Sequence, residues 1–190
     1  TGLFKGVKLD LRGWLFLLRL VSKKDDSVLR SVAAELEKEK MEVISASVLL
    51  GDSVAQEGLL TKRDLTKKER EDAKIGWEAA KAIGAIDIGQ SVIAYDGVIL
   101  AVEAIEGTDE AIKRAGALSG GGGVLVKLSK PQQDERLDLP TIGTTTIENL
   151  KSAGLTAIVL EHEKAIILEP DAVIKLADKA SIAIQVLRSL

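Results

Sequence analysis

Two apolar runs near the middle of the chain carry charges where charge is costly. Glu103 lies in VILAVEAIE, from Val98 to Glu106, and Lys127 lies in GVLVKLSK, from Gly123 to Lys130. An ionised side chain inside an apolar strand costs on the order of several kcal/mol unless it is paired. Each run also empties into a loop dense in acids and bases. The first loop is Glu106-Gly107-Thr108-Asp109-Glu110; the second runs from Lys130 through Asp134, Glu135 and Arg136 to Asp138. Carboxylates beside Lys and Arg suit metal-assisted phosphoryl chemistry. The acids hold a cation or orient water, and the bases neutralise phosphate oxygens. The residues alone leave a second reading open, in which Glu103 and Lys127 are only a buried salt bridge and the loops are solvated charge.

Between the two runs the spacing predicts a helix from Asp109 to Leu118, with Thr108 or Asp109 as its N-cap. Gly107 gives the loop freedom for close backbone approach. The free N–H groups of a helix N-terminus attract anions, yet Glu106, Asp109 and Glu110 crowd this one and repel a bare phosphate. A Mg²⁺ ion between carboxylates and phosphate oxygens resolves that conflict. If the second loop is extended, Asp134, Arg136 and Asp138 project to one side. Both loops follow strands, at the end where open α/β sheets place their sites. Gly120 to Gly123 lacks the Lys-Ser/Thr of a phosphate-binding P-loop and precedes a strand. It is a lid, a close-approach loop with Gly122 facing a substrate, or a flexible connection.

These residues need a sheet to hold them. Strand Val98 to Glu106 is apolar on both faces and is expected to be covered on both sides. With the helix after it and the Lys127 strand it makes a βαβ pattern, so the two strands are expected as parallel neighbours and Glu103 and Lys127 as a neutralising pair. Asp96-Gly97 signals a hairpin before Val98. Thr66 and Glu69 form a capping box for a helix to about Ile83, ended by Gly84. Thr145 and Glu148 form another, for a short helix ended by Gly154. Ala157 to Leu160 and Ala165 to Leu168 are expected to form a hairpin around Glu161-His162-Glu163-Lys164. A last helix starts at Pro170-Asp171, and Ile182 to Leu187 is a final strand. The expected fold class is therefore α/β, with a mixed sheet, a βαβ unit, hairpins and packed helices.

Upstream, residues 9–24 and 26–39 are two amphipathic helices. The first is basic, a type that packs on a core or lies on a membrane surface; the pair is also readable as an oligomerisation element. Met41 to Leu50 is expected to be a strand with a following turn. Two helices and a strand cannot bury their own faces. Residues 1–51 are therefore read as the remnant of a partial N-terminal α/β domain. Gly51 to Asp64 reads as a polar linker, and residues 52–190 as the C-terminal α/β domain that carries the catalytic loops. Thr1 is not Met, and the opening reads as a fragment or a cleaved product.

Composition narrows the chemistry. Of 190 residues, 46% are hydrophobic and 29% charged, a globular balance, and 3% are aromatic, so Val, Ile, Leu and Ala must fill the core. A net charge of -3 argues against a nucleic-acid partner. The absence of cysteine removes thiolate nucleophiles and Cys-ligated zinc. His162 is the only histidine, so a Ser–His pair would have to use it; its place in a turn between Glu161 and Glu163 argues against that. No apolar run approaches the ~20 residues of a transmembrane helix.

Taken in order, LTKR (Leu60 to Arg63), AKAIGAIDIGQSVI (Ala80 to Ile93), AVEAIEGTDEAIKRAG, GGGGVLVKLSKPQQD and RLDLPTIGTTTIENLKSAGL resemble the LpxI family of UDP-2,3-diacylglucosamine pyrophosphatases. The similarity runs from about residue 52 to the C-terminus, and residues 1–50 resemble the end of that family's N-terminal domain, without its glycine-rich opening. The resemblance implies a Mg²⁺-dependent hydrolase of lipid A synthesis. It would cleave UDP-2,3-diacylglucosamine to UMP and 2,3-diacylglucosamine 1-phosphate, peripherally, on the cytoplasmic face of the inner membrane. It also implies an essential aspartate in the C-terminal domain, matched first to Asp134, then to Asp138 and Asp109. On this reading Asp134, Asp138, Lys127 and Arg136 are catalytic, and Asp134 and Asp109 hold the metal. Glu103, Glu106, Gly107, Thr108, Lys130 and Gly122 bind substrate. A non-catalytic module that binds a nucleotide sugar or lipid phosphate is the alternative.

Overall fold

A computed structural model describes residues 25–190, together with Asp10 and Gly13. The chain forms two compact units, residues 1–44 and residues 45–190. In the first, α1 (Asp25–Lys38) is the expected amphipathic helix, and it buries Val28 and Ala33. The basic helix expected over residues 9–24 lies outside the described residues, apart from Asp10 and Gly13.

The expected strand over Met41 to Leu50 does not form. Residues 41–45 have no regular structure, and α2 (Ala46–Leu50) follows. The Ser45 hydroxyl accepts the Ser47 N–H at 3.2 Å, a local cap that favours helix where no partner strand is available. The expected linker over Gly51 to Asp64 is also corrected. It packs Ala55 into the core and supplies β1 (Gly58–Leu59), which pairs antiparallel with the last strand, β8 (Ala183–Leu187).

A six-stranded sheet dominates the second unit. Besides β1 and β8 it holds β2 (Ser91–Tyr95), β3 (Val98–Val102), β4 (Val124–Lys127) and β6 (Ala157–Glu161), in the order β1-β8-β6-β4-β2-β3. β4, β6 and β8 are parallel neighbours; β2 runs antiparallel to both β3 and β4. β3 and β4 thus point the same way but are separated by β2, so they are not the adjacent parallel pair that the sequence suggested. The true crossovers are β4 to β6 through α5 (Thr144–Ser152) and β6 to β8 through α6 (Pro170–Ala180). Nor is β3 covered on both faces: it is the edge strand, with Val98 56% and Ile99 36% exposed.

Helices cover both faces of the sheet. α3 (Lys67–Ala85) places Ala73, Trp77 and Ala80 against Val92, Val124, Val126 and Val159. α4 (Thr108–Ser119), α5 and α6 bury Ile112, Ile147 and Val173 with Ile93, Leu125, Ile158 and Ile184 on the opposite face. Successive residues in each strand serve opposite layers, as the two-residue period requires. The Thr66–Glu69 capping box is present, although Gly84 lies inside the last turn and the helix runs on to Ala85. The Asp96-Gly97 hairpin is present too. Both residues have positive φ, and their amides donate to Asp72 of α3 at 3.1 and 2.8 Å.

Two expectations near the C-terminus change. The segment after β6 is not its hairpin partner: β7 (Ile166–Ile167) pairs in parallel with β5 (Thr141–Ile142) as a separate two-stranded sheet. α5 starts at Thr144 with Gly143 as its cap, rather than through a Thr145–Glu148 box, because the Thr146 hydroxyl accepts the Gly143 N–H at 3.3 Å.

Glu69 also fastens the cap of α3 to the start of β6. Its carboxylate accepts two Arg63 N–H groups, each at 2.9 Å, and the Thr156 hydroxyl at 2.6 Å. Burial pushes its pKa up, but these donors and the Thr66 amide outweigh burial and hold it at about 2, against an ordinary 4.5. Folding therefore favours the ionised form. The contribution is complete above about pH 4.5 and is lost as the pH falls toward about 2. Urea unfolding between pH 6 and pH 2 should show this loss, at most about 3 kcal/mol, and Glu69→Gln should remove that part of the pH slope.

Candidate active site

The parallel strands β4, β6 and β8 end on the same edge of the sheet as β3. Glu103 follows β3, α4 opens five residues later, and Lys127 closes β4. Period two puts Lys127 on the face of Leu125, the face that α4 covers. The two interior charges meet there. Glu103 is 8% exposed and Lys127 7%.

They meet through a third residue. The Thr108 hydroxyl donates to Glu103 Oε1 at 2.9 Å and accepts from Lys127 Nζ at 3.2 Å. Nζ donates also to the Thr141 carbonyl at 3.0 Å, and Ser91 Oγ lies 3.3 Å from the Thr108 hydroxyl. Thr108 is the first residue of α4, and Gly107, with φ 84°, takes the cap position expected for Thr108 or Asp109. Freed from capping, the threonine side chain turns into the sheet edge. Burial lowers the Lys127 pKa, and the charges of Glu103, Asp109 and Asp138 oppose that fall.

The acid crowding at α4 is relieved from within the helix. Glu106 pairs with Arg114 at 2.6 Å and Glu110 with Lys113 at 2.5 Å. Hydrogen bonding within its own loop, together with Arg114, holds the Glu106 carboxyl below its ordinary range. Of the three expected acids, only Asp109 is left to act on Lys127.

The second loop is not extended. Leu137 and Asp138 donate their amides to the Asp134 carbonyl at 2.8 and 3.2 Å, which coils the loop into a turn. Asp134 accepts the Arg136 amide at 3.1 Å, its Nε at 3.0 Å and its second guanidinium nitrogen at 2.8 Å. Asp134, Arg136 and Asp138 therefore do not line up as an extended strand would place them. Asp138 instead accepts from Gln133 Nε2 at 2.5 Å, within the field of Lys127. Lys130 pairs with Asp87 at 2.9 Å.

Gly122 stands apart from the other candidates. It precedes β4, at the opposite end of the strands, where a side chain would strike the Tyr95 ring. A cavity of about 260 Å³ at that end is lined by Glu69, Asp72, Tyr95 and Thr156 among others. Expected as metal ligands, Asp134 is engaged by Arg136 and Asp109 faces Lys127. Among the described residues, no three His, Asp or Glu side chains gather as a metal cage.

Several neighbours were not visible in the sequence. Ser91 and the Thr141 carbonyl reach Lys127 only through strand pairing and the turn of the second loop. At the end of β6, Lys81 holds Glu161 at 2.8 and 2.9 Å, and Lys164 approaches it at 3.4 Å. Next to it His162 is buried, its Nδ1 accepting the Glu57 amide at 3.0 Å, which is a structural role. The Glu103 Oε2, Ser129 Oγ and Gln90 Oε1 atoms are buried without a protein partner.

Residues 56–185 match the family model of the LpxI C-terminal domain, and residues 2–53 match that of the LpxI N-terminal domain. The chain is 38% identical over 186 residues to the UDP-2,3-diacylglucosamine pyrophosphatase LpxI of Caulobacter vibrioides; the similarity covers 92% of this chain and 66% of that protein.

Replacing Lys127 with Met should strand the buried Glu103 carboxylate and cost about 3 kcal/mol or more of unfolding free energy. Adding Glu103→Gln should recover much of it. Equal stability of the parent and Lys127→Met in urea titrations would show that the two charges are not coupled.

Proposed function

The chain belongs to the LpxI family, and from that premise we propose that it is a UDP-2,3-diacylglucosamine pyrophosphatase that releases UMP and 2,3-diacylglucosamine 1-phosphate. The observation that carries this reading is a charged site at the end of a parallel sheet segment. There a buried ammonium and the opening of a twelve-residue helix flank a loop of acids and bases. A pyrophosphate carries its charge on several oxygens. Helix N–H groups and Lys127 offer it hydrogen bonds without the cost of reorganising water.

In the reaction, water attacks one phosphorus, a new P–O bond forms and the bridging P–O bond breaks. We assign Asp134 to orienting that water, because Arg136 fixes both of its carboxylate oxygens. Asp138 acts beside it. Lys127, Lys130 and Arg136 neutralise charge that develops on the phosphate oxygens, and Glu103, Glu106, Gly107 and Thr108 shape the substrate site. Asp109 and Asp134 are the residues proposed to hold magnesium. Magnesium takes one or two protein carboxylates and completes its shell with water and substrate phosphates. When bound, the ion would neutralise phosphate charge and make phosphorus more open to attack.

The diacyl substrate places the reaction at a membrane surface, and we propose the cytoplasmic face of the inner membrane. We propose that contact there is peripheral; among the described residues, no helix is long and apolar enough to cross a membrane.

The test is UMP release from UDP-2,3-diacylglucosamine, with and without Mg²⁺. Asp134→Ala should lower it by about 100-fold or more, the range for loss of a positioned acid–base group. Unchanged turnover would remove Asp134 from the site. Binding of the substrate with Mg²⁺ but no UMP release by the parent chain would favour the non-catalytic binding module instead.

A further inference from the structure

Lys127 and Glu103 make no direct ion pair; a single hydroxyl stands between them. We propose that Thr108 is a positioning residue: its hydroxyl ties Glu103 to Lys127 and aims the Lys127 ammonium at the opening of α4, where an anionic phosphate of the substrate would dock. Its role in turnover rests on the pyrophosphatase reading above; its effect on Lys127 does not.

The geometry supports this assignment in three ways. First, the hydroxyl has one proton, and the distances consign it to Glu103 Oε1 at 2.9 Å. That leaves its lone pairs for Lys127 Nζ at 3.2 Å and for Ser91 Oγ at 3.3 Å. Secondly, among the described residues one other acceptor holds Nζ in place, the Thr141 carbonyl at 3.0 Å. Without the hydroxyl, the ammonium is held from one side only. Thirdly, Glu103 Oε2 is buried with no partner, so the carboxylate is fixed through Oε1 and the Thr108 bond sets its orientation.

The groups that act on the ammonium come from every element around it. Glu103 and Asp109 approach from either side of the start of α4, and Asp138 and the Thr141 carbonyl from the loop after β4 and the strand that follows it, while Ser91 of β2 contacts the Thr108 hydroxyl. Burial works against the charged form and the three acids work for it. The Thr108 hydroxyl is the neutral dipole that lets the nearest acid act along a defined line. Valine has nearly the same shape but neither donor nor acceptor, so it breaks the link and leaves the packing.

The experiment is titration of Lys127 by NMR on protein carrying labelled lysine, with no substrate present. The resonance is assigned by its loss in Lys127→Met. Thr108→Val should move the Lys127 titration down by about one pH unit, a tenfold change in its proton affinity. Thr108→Ser, which restores a hydroxyl, should return it to the parent value. If Thr108→Val leaves the titration in place, the proposal is overturned, even if the variant melts earlier. Should Thr108→Val fail to fold, Thr108→Ala, which also lacks the hydroxyl, makes the same test: a lowered Lys127 titration supports the link, and an unmoved one overturns it. Absence of UMP release from the parent chain would sink the pyrophosphatase reading while leaving this titration unaffected, so the two failures are separable.

Discussion

Lys127 is an ammonium group that the fold has taken out of water. A charge there is stable only if the chain brings acceptors and opposite charge to it, and the second unit is arranged so that it does. β4 must end at Lys127 to place Nζ at the sheet edge. β3 must run in the same direction to deliver Glu103 to the same edge, and α4 must begin where Thr108 can reach both. The turn after β4 must return Thr141 so that its carbonyl closes the far side. Each of these demands is met by a different element.

The topology explains why they converge. β2 is interposed between β3 and β4 and runs against both, so the two strands that carry chemistry both point to one edge while standing two positions apart. α4 crosses back over β2 to join them, and its N-terminus falls beside the end of β4. The gap between the strand ends is spanned by a threonine, where adjacent strands would have allowed a direct ion pair. An anion docking there, as proposed, would meet helix amides and the Lys127 ammonium, and two of the acids at the start of α4 are already paired: Glu106 with Arg114 and Glu110 with Lys113. The opposite edge is built differently. Its acids cap the hairpin and the α3 terminus, so Asp72 and Glu69 serve the scaffold.

Local signals were the legible part. A capping box at Thr66 and Glu69 and a hairpin at Asp96-Gly97 depend on residues a few positions apart, and both appear as read. Glu103 and Lys127 stood out because a charge in an apolar run is conspicuous whatever the partner. What the sequence did not carry is pairing at a distance. Nothing in Val98 to Val102 says that its outer edge is bare, because both faces carry Val, Leu, Ile or Ala. Ile166 and Ile167 look like a hairpin partner for β6 until Thr141 and Ile142 return beside them. The Met41 to Leu50 alternation lost to one serine cap. Thr108 was read as a cap because caps are usually threonine, serine or aspartate; Gly107 took that place, and the hydroxyl became the link in the site.

The central claim is that phosphate binds at the edge where Glu103, Thr108 and Lys127 meet. It is tested most directly by following backbone amide resonances of this chain as UDP and Mg²⁺ are added. Shifts should concentrate at Gly107 to Glu110, Lys127 to Lys130 and Asp134 to Asp138. Shifts confined to Gly120 to Gly123, Tyr95 and Asp72, at the opposite edge, would contradict it.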